Sequence, residues 1–312
     1  GRNIDYDLKL NFKTAYPRRA RALLMMIKES FGSRLFDVIN ISLFLALSFT
    51  MFYPLLYCLV LSLSSEVYAS QGGFFLYPRS FDLTAYKAVF SKPHLLSGLL
   101  NSIARVLISV PISVFFTALC AYPLSRKDMP HRKPLFLFVL FTMLFSGGMV
   151  PIYLLYHSIG LLDNRMVYLV QGLISAFNVI LIRNYFQNIP DSMHQAAMID
   201  GATEWYIFFR IYLPLSSPIL ATVAMFQTIF HWNAWYDAVI YMNTDSKVVL
   251  QAFLQRIVIE QEWAMLRDNF IGLAPESIKA ATVVITVVPI MLVFPFVLKY
   301  FSKGIMLGGI KE

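Results

Sequence analysis

Residues 195–218 read QAAMIDGATEWYIFFRIYLPLSSP, a short polar interruption between two long apolar runs. Gly201 supplies a turn, small Ala196, Ala197 and Ala202 lie beside it, and Pro214 stands at the far end. The spacing predicts a helical hairpin. Ser192 and Gln195 make an S-x-x-Q capping box, which places a helix start just after Pro190. Asp200 and Gly201 end that helix, because glycine adopts the left-handed cap without a Cβ penalty. Thr203 then caps a second helix running to Tyr212, with Trp205, Phe208, Phe209 and Ile211 as its apolar side and Leu213-Pro214 as its close. Such a slim tip suits entry into a groove on another protein. The plainer alternative is an ordinary interfacial loop.

Composition sets the surroundings of this hairpin. Of the 312 residues, 58% are hydrophobic and only 14% charged, whereas a soluble domain carries about 25% charged residues. The mean hydropathy of +0.62 agrees, so lipid solvates most of the chain. The aromatic share of 15% fits interfacial belts or a lined cavity and does not choose between them. The net charge of +8 is carried by loops beside apolar runs, which fits membrane orientation and argues against nucleic acid as a partner. Cys58 and Cys120 fall inside apolar runs and read as small core residues, not as a disulfide or metal pair. The first 37 residues are polar and basic, without the apolar core of a cleavable signal peptide.

A membrane helix needs about 20 mostly apolar residues. Runs near 38–63, 99–124, 134–156, 166–182, 215–241 and 280–301 qualify. The expected fold is therefore all-α and membrane-embedded, with six transmembrane helices. Gly147, Gly148 and Pro151 mark the third run as the one to break or bend. Lys and Arg crowd the N-terminal tail, the loop holding Arg126, Lys127, Arg132 and Lys133, and the C-terminal tail with Lys303 and Lys311. This bias places both termini and the hairpin of 191–214, between the fourth and fifth helices, in the cytoplasm. Domain organisation follows: a cytoplasmic basic tail over 1–37, then a transmembrane domain over 38–312. Within the tail, residues 18–36 include a basic, amphipathic stretch expected to lie along the inner interface. A long outer loop, 243–279, has an amphipathic and partly helical middle.

The hairpin resembles the EAA loop of permease subunits of bacterial ABC importers. That pattern is E-A-A-x-x-D-G-A, five residues, F, two residues, then I-x-L-P. Ala196, Ala197, Asp200, Gly201, Ala202, Phe208, Ile211, Leu213 and Pro214 all fall in register. Asn101-Ser102, Cys120-Ala121-Tyr122 with Arg126, and Gly308-Gly309-Ile310-Lys311 are similar to the MalG-like branch of carbohydrate permeases. HWNAWYDAVIY, residues 231–241, is closer to the branch holding LplC-type and alginate-importer subunits. One departure is Gln195, where the family usually has Glu. Its amide keeps a capping role but cannot make a charge-assisted bond to a basic partner residue, an interaction of about 1.5–3 kcal/mol.

The resemblance implies a bacterial inner-membrane, multi-pass transport subunit and not an enzyme. Its hairpin would be the coupling helix, seated in a cleft of a cytoplasmic ATP-binding subunit. The implied partners are a second homologous permease, two ATP-binding subunits, an extracytoplasmic solute-binding protein and a carbohydrate, expected to be an oligosaccharide. ATP and Mg would be bound by the partner subunits, since the chain has no G-x-x-x-x-G-K-[ST]. By position, the outer loop resembles the one that reaches the docked binding protein, which makes Gln251, Gln255 and Glu262 candidate contacts.

Polar groups within apolar runs are candidates for a substrate path, because lipid burial of them is costly. Gln171, Ser175 and Asn178 fall on one face of the fourth run, and Gln227, His231, Trp232, Asn233, Trp235, Tyr236 and Asp237 cluster in the fifth. Rings beside amides and a carboxylate suit sugars, which stack through C–H faces and need both donors and acceptors. The alternatives are helix–helix contacts for the Gln171 stripe and a headgroup-level belt for Trp232, Trp235 and Tyr236. Arg105, near the outer end of the second run, is expected to snorkel. Two other functional classes remain open: an intramembrane enzyme using His231 and Asp237, and a non-transporting scaffold or sensor. No nucleophile in a matching context supports the first, and no H-x-x-x-H or H-E-x-x-H spacing supports a metal site. Neutral and uronate oligosaccharides both fit.

Overall fold

A computed structural model describes residues 31–91, 94–257 and 276–308. All regular elements among them are helical. Besides short helices at Glu66–Ala69, Thr84–Phe90 and Asp245–Lys247, they are α1 Phe31–Ser62, α2 Leu95–Ser125, α3 Arg132–Leu144, α4 Met149–Ser158, α5 Met166–Val170, α6 Ala176–Phe186, α7 Asp191–Ile199, α8 Glu204–Leu215, α9 Ser217–Asn233, α10 Tyr236–Tyr241, α11 over 250–257 and α12 Glu276–Gly308. Two compact units contain them, Gly1–Leu56 and Tyr57–Glu312. The basic stretch of the tail up to residue 30 and the outer-loop residues 258–275, with Glu262, lie outside the described residues.

In the second unit α2 is the hub, packing along α6 and α9, while α9 also packs on α12. Its small and hydroxylated residues, including Ser102, Ser109, Ser113, Thr117, Ala118 and Ala121, are buried. Small residues let neighbouring helices approach closely where lipid supplies no hydrophobic drive between them.

Among the described residues, α1 and α2 are each long and apolar enough to cross a membrane. Two bent pairs pass the same test jointly: α3 with α4, bent by 108°, and α8 with α9, bent by 79°. The first bend falls at 145–148, as Gly147 and Gly148 predict, with Gly148 at φ +85°. Pro151 lies in the first turn of α4, where its missing N–H is an orphan anyway.

The fourth run departs from expectation. It is not one helix over 166–182 but two pieces, α5 and α6, separated by 171–175. Gly172 takes φ +82°, and a Cβ on it would come within 2.5 Å of Phe230 Cε1. The freed carbonyls find partners on other helices. Ser113 Oγ donates to the carbonyls of Gly172 (3.3 Å) and Leu173 (2.8 Å), and Ser109 Oγ to that of Tyr168 at 3.4 Å. Gln227 Nε2 also donates to Gly172 O, at 3.4 Å. Broken helices persist in apolar surroundings when neighbouring protein groups satisfy the backbone in this way. The fifth run is broken too, at Ala234-Trp235 between α9 and α10.

Candidate functional site

The hairpin forms as its turn chemistry predicts. α7 ends in a left-handed Gly201 (φ +80°), with Gly201 N–H donating to Met198 O at 3.1 Å and Ala202 N–H to Ala197 O at 2.9 Å. That pair of bonds is a Schellman motif. Thr203 Oγ1 caps α8 by accepting from Tyr206 N–H at 3.3 Å. α7 starts just after Pro190, as expected, but the S-x-x-Q box is not realised, because Pro190 is the cap, two residues before Ser192. α8 also continues past Pro214 to Leu215, through a π-turn at Phe208–Tyr212 in which Leu213 N–H reaches Phe208 O. Its buried side is Ile207, Phe208 and Tyr212, while Trp205 and Phe209 are exposed. This corrects the apolar side drawn from sequence. The widened π-turn rotates the face and brings Tyr212 inward.

Phe208 and Tyr212 join Tyr122, Phe186 and Ile182 in one apolar cluster. Tyr122 meets Tyr212 edge-on at 4.8 Å between ring centroids. Polar contacts stitch the rim. Tyr122 OH donates to Glu204 Oε2 at 2.5 Å, and His194 Nε2 lies 3.1 Å from Glu204 Oε1. Arg126 donates to Tyr212 OH at 3.2 Å and pairs with Asp128, while Lys127 pairs with Asp191 at 3.0 Å. The Lys127 ammonium, hydrogen-bonded to Asp191, holds that carboxyl below the ordinary carboxylate value. Gln195, Ala196, Asp200, Gly201 and Pro214 stay exposed, and Ala197 and Ala202 are half-buried. The hairpin thus has a fixed root and a free tip. Glu204, His194 and Tyr122 are members of that root which sequence reasoning missed, since no local spacing pairs Tyr122 with Glu204.

The expected substrate-path residues divide among three environments. Ser175, Asn178 and Gln227, with Gly172 and Phe230, line one recess of about 300 Å³. Gln171, Asn233, Trp235, Tyr236 and Asp237 line another of about 360 Å³, together with Met149 and Phe230. Gln171 and Ser175 therefore do not share a helical face, because both lie in the break. Tyr156 OH donates to Gln171 Oε1 at 3.2 Å. His231 and Trp232 line neither recess. Trp232 is buried and donates from Nε1 to Thr286 O of α12 at 3.2 Å, a helix–helix contact away from both recesses.

Arg105 does not snorkel. Its side chain is 0% exposed and binds Asp237 in fork geometry, with Nη2 to Oδ2 at 2.5 Å and Nη1 to Oδ1 at 3.1 Å. Its Nε donates to His231 Nδ1 at 3.2 Å, and its guanidinium carbon lies 4.6 Å from the Tyr168 ring centroid. A planar fork that stacks on a ring is the geometry for which arginine is suited. His231 therefore faces Arg105, not Asp237, and the two do not form an acid–base pair. Among the described residues no group of His, Cys, Asp or Glu has the arrangement of a metal site.

The segment after α10 is tied down over the end of α2. Asn101 Nδ2 donates to Ser246 O (2.8 Å) and Val248 O (3.0 Å), and Leu250 N–H donates to Ser102 Oγ at 2.9 Å. Lys247 binds Asp163 at 2.6 Å, and with the Thr244 hydroxyl it holds that carboxyl far below the ordinary value. On α11, Gln251 and Gln255 are half-buried, one helical turn apart.

Comparison with known proteins fits these features. Residues 83–307 match the family described as "Binding-protein-dependent transport system inner membrane component". The chain is 38% identical over 283 residues to the "Polygalacturonan/rhamnogalacturonan transport system permease protein YtcP" of Bacillus subtilis (strain 168), covering 89% of this chain and 99% of that protein. It is equally 38% identical over 283 residues to Protein LplC of the same organism, covering 90% of this chain and 96% of that one. A chain in the crystal structure of a bacterial ABC transporter involved in the import of the acidic polysaccharide alginate superposes with a TM-score of 0.79 at 33% identity, over 87% of this chain and 98% of that one. A broken-helix bundle, a root-fixed hairpin and a match over most of the chain converge: this protein belongs to the binding-protein-dependent transport system inner membrane components.

Proposed function

We propose that this chain is the permease subunit of an ABC importer for acidic, uronate-containing oligosaccharides. It pairs with a second permease, two ATP-binding subunits and an extracytoplasmic binding protein. Six crossings leave both termini and the 191–214 hairpin on the cytoplasmic side. The single observation that carries the cargo is the 38% identity over 99% of a permease named for polygalacturonan, a polymer of uronate sugars. The coupling role is supported by the hairpin's free tip and fixed root: Asp200 and Gly201 are exposed while Phe208 is buried. Closure of the ATP-binding subunits pulls on a stiff element and switches the paired permeases as rigid bodies. The two recesses around Phe230 supply amides, rings and one carboxylate for sugar passage, and Gln251 and Gln255 meet the binding protein. The work of the chain is binding and movement, and ATP with its Mg is held by the partner subunits.

The test uses the whole importer in lipid, with its binding protein and a panel of galacturonate and neutral oligosaccharides. ATP hydrolysis is expected to rise only with binding protein plus a uronate oligomer. Absence of a co-purifying ATPase, with hydrolysis that never rises, sinks the reading. Gly201→Glu is expected to leave the complex assembled while hydrolysis no longer drives uptake.

A further inference from the structure

We infer that Arg105 sets the charge selectivity of the translocation path by neutralising Asp237, the carboxylate in the wall of the Trp235–Tyr236 recess. The inference rests on the importer reading above and adds a specificity-determining residue to it. Among the described residues lining that recess Asp237 is the one carboxylate, with no Lys, Arg or His beside it; the other walls are amides, the Ser146 hydroxyl, the neutral phenols and rings of Tyr236, Tyr241 and Trp235, and apolar side chains. Left alone, its charge would repel an anionic sugar at close range, in a site where little water screens it. Arg105 sits directly behind it, with its side chain 0% exposed and both carboxylate oxygens engaged.

The remaining contacts keep the pair electrically balanced. Arginine can only donate, so the Nε bond to His231 makes Nδ1 the acceptor and leaves the imidazole neutral, with its proton on Nε2. His231 Nε2 is buried with no partner among the described residues, so no further charge is attached to the cluster there. The Ala234 carbonyl, 3.5 Å from Arg105 Nη1, and the Tyr168 ring complete the guanidinium's surroundings without adding charge. One cation, one anion and one neutral ring sum to zero. The recess therefore presents a carboxylate's hydrogen-bond acceptors to sugar hydroxyls without its full repulsion of uronates. The Ala234 contact also joins this pair to the break between α9 and α10, so Arg105 positions Trp235 and Tyr236 as well.

The experiment measures uptake by the complete importer in proteoliposomes, with a galacturonate trisaccharide and a neutral galactose trisaccharide as probes. Arg105→Gln leaves Asp237 uncompensated and is expected to lower uronate uptake about tenfold more than neutral uptake. Asp237→Asn leaves the cation and is expected to move the ratio the other way. The double variant, neutral again, returns the ratio to that of the native protein. A purely structural role predicts equal losses in the two single variants and parallel changes for both sugars, and that result overturns the inference. Asn233→Asp covers the case where the buried variants fail to assemble. Asn233 is exposed in the same recess, so the change adds a carboxylate without touching the pair. It is expected to depress uronate uptake selectively, and unchanged selectivity there overturns the inference too. Native protein that moves neither sugar refutes the importer reading itself. Native protein that moves only the neutral sugar refutes the inference while leaving the importer.

Discussion

The root of the hairpin and the break behind the recess are held together by opposite means. At the root, an apolar cluster of Tyr122, Phe186, Phe208 and Tyr212 carries the packing, and charged pairs such as Lys127–Asp191 lie exposed at its rim. At the break, the Arg105–Asp237 pair is itself the core, enclosed by Tyr168 and His231. Exposed pairs gain little because water and salt screen them. A buried pair is costly to form and more costly to break, since removing one partner strands the other charge. The lesson is that charge serves two purposes here. It trims the orientation of a surface element on one side, and it joins distant helices on the other.

The sharpest way to break this contrast is Arg105→Ala, which strands Asp237 and is expected to destabilise the folded subunit by about 3–5 kcal/mol. The thermal midpoint of the purified complex checks it, and a shift no larger than that of a rim variant would erase the distinction. Next comes Gly172→Ala. The new Cβ meets Phe230 at 2.5 Å and forces a left-handed residue, for a combined cost of about 2–4 kcal/mol. The same change at Gly201 is expected to cost only about 1–2 kcal/mol. Its φ is +80°, but nothing lies within 4 Å of the added atom. Measuring both glycine variants by thermal unfolding separates crowding from backbone strain. The smallest effect belongs to Lys127→Ala, for which the thermal midpoint is expected not to move measurably at physiological salt.

The rim pair also has a pH signature. The depressed Asp191 carboxyl contributes above the unfolded carboxylate value, about 3.9, and its contribution disappears only as pH falls through the lower folded value. ATPase coupling is therefore expected to be insensitive to this pair between pH 7 and 5, in a Lys127→Ala comparison across that range.

Much of the hairpin was legible because its information is local. Gly201 at the turn, Thr203 at the cap and the bend at Gly147-Gly148 each follow from the backbone demands of neighbouring residues. The capping box failed at Ser192 because Pro190 caps α7 and Asp191 begins it, a shift of two residues within the usual uncertainty of helix ends. The apolar side of α8 was misjudged because a regular 3.6-residue period was assumed through a π-turn. The fourth run looked like a single helix because its hydropathy is continuous. What sustains its break is a set of donors on α2 and α9, Ser109, Ser113 and Gln227, more than 50 residues away in the chain.

Hydropathy and turn residues thus sufficed for an all-helical membrane subunit with a slim hairpin, because lipid demands apolar length and glycine alone meets certain dihedrals cheaply. They could not say that Arg105 faces Asp237, 132 residues distant, or that Trp232 is buried against α12. Inside a bundle, water is not available to satisfy a polar group, so its partner must come from whichever helix packs beside it. That neighbour is chosen by the whole fold and leaves no mark on the local pattern.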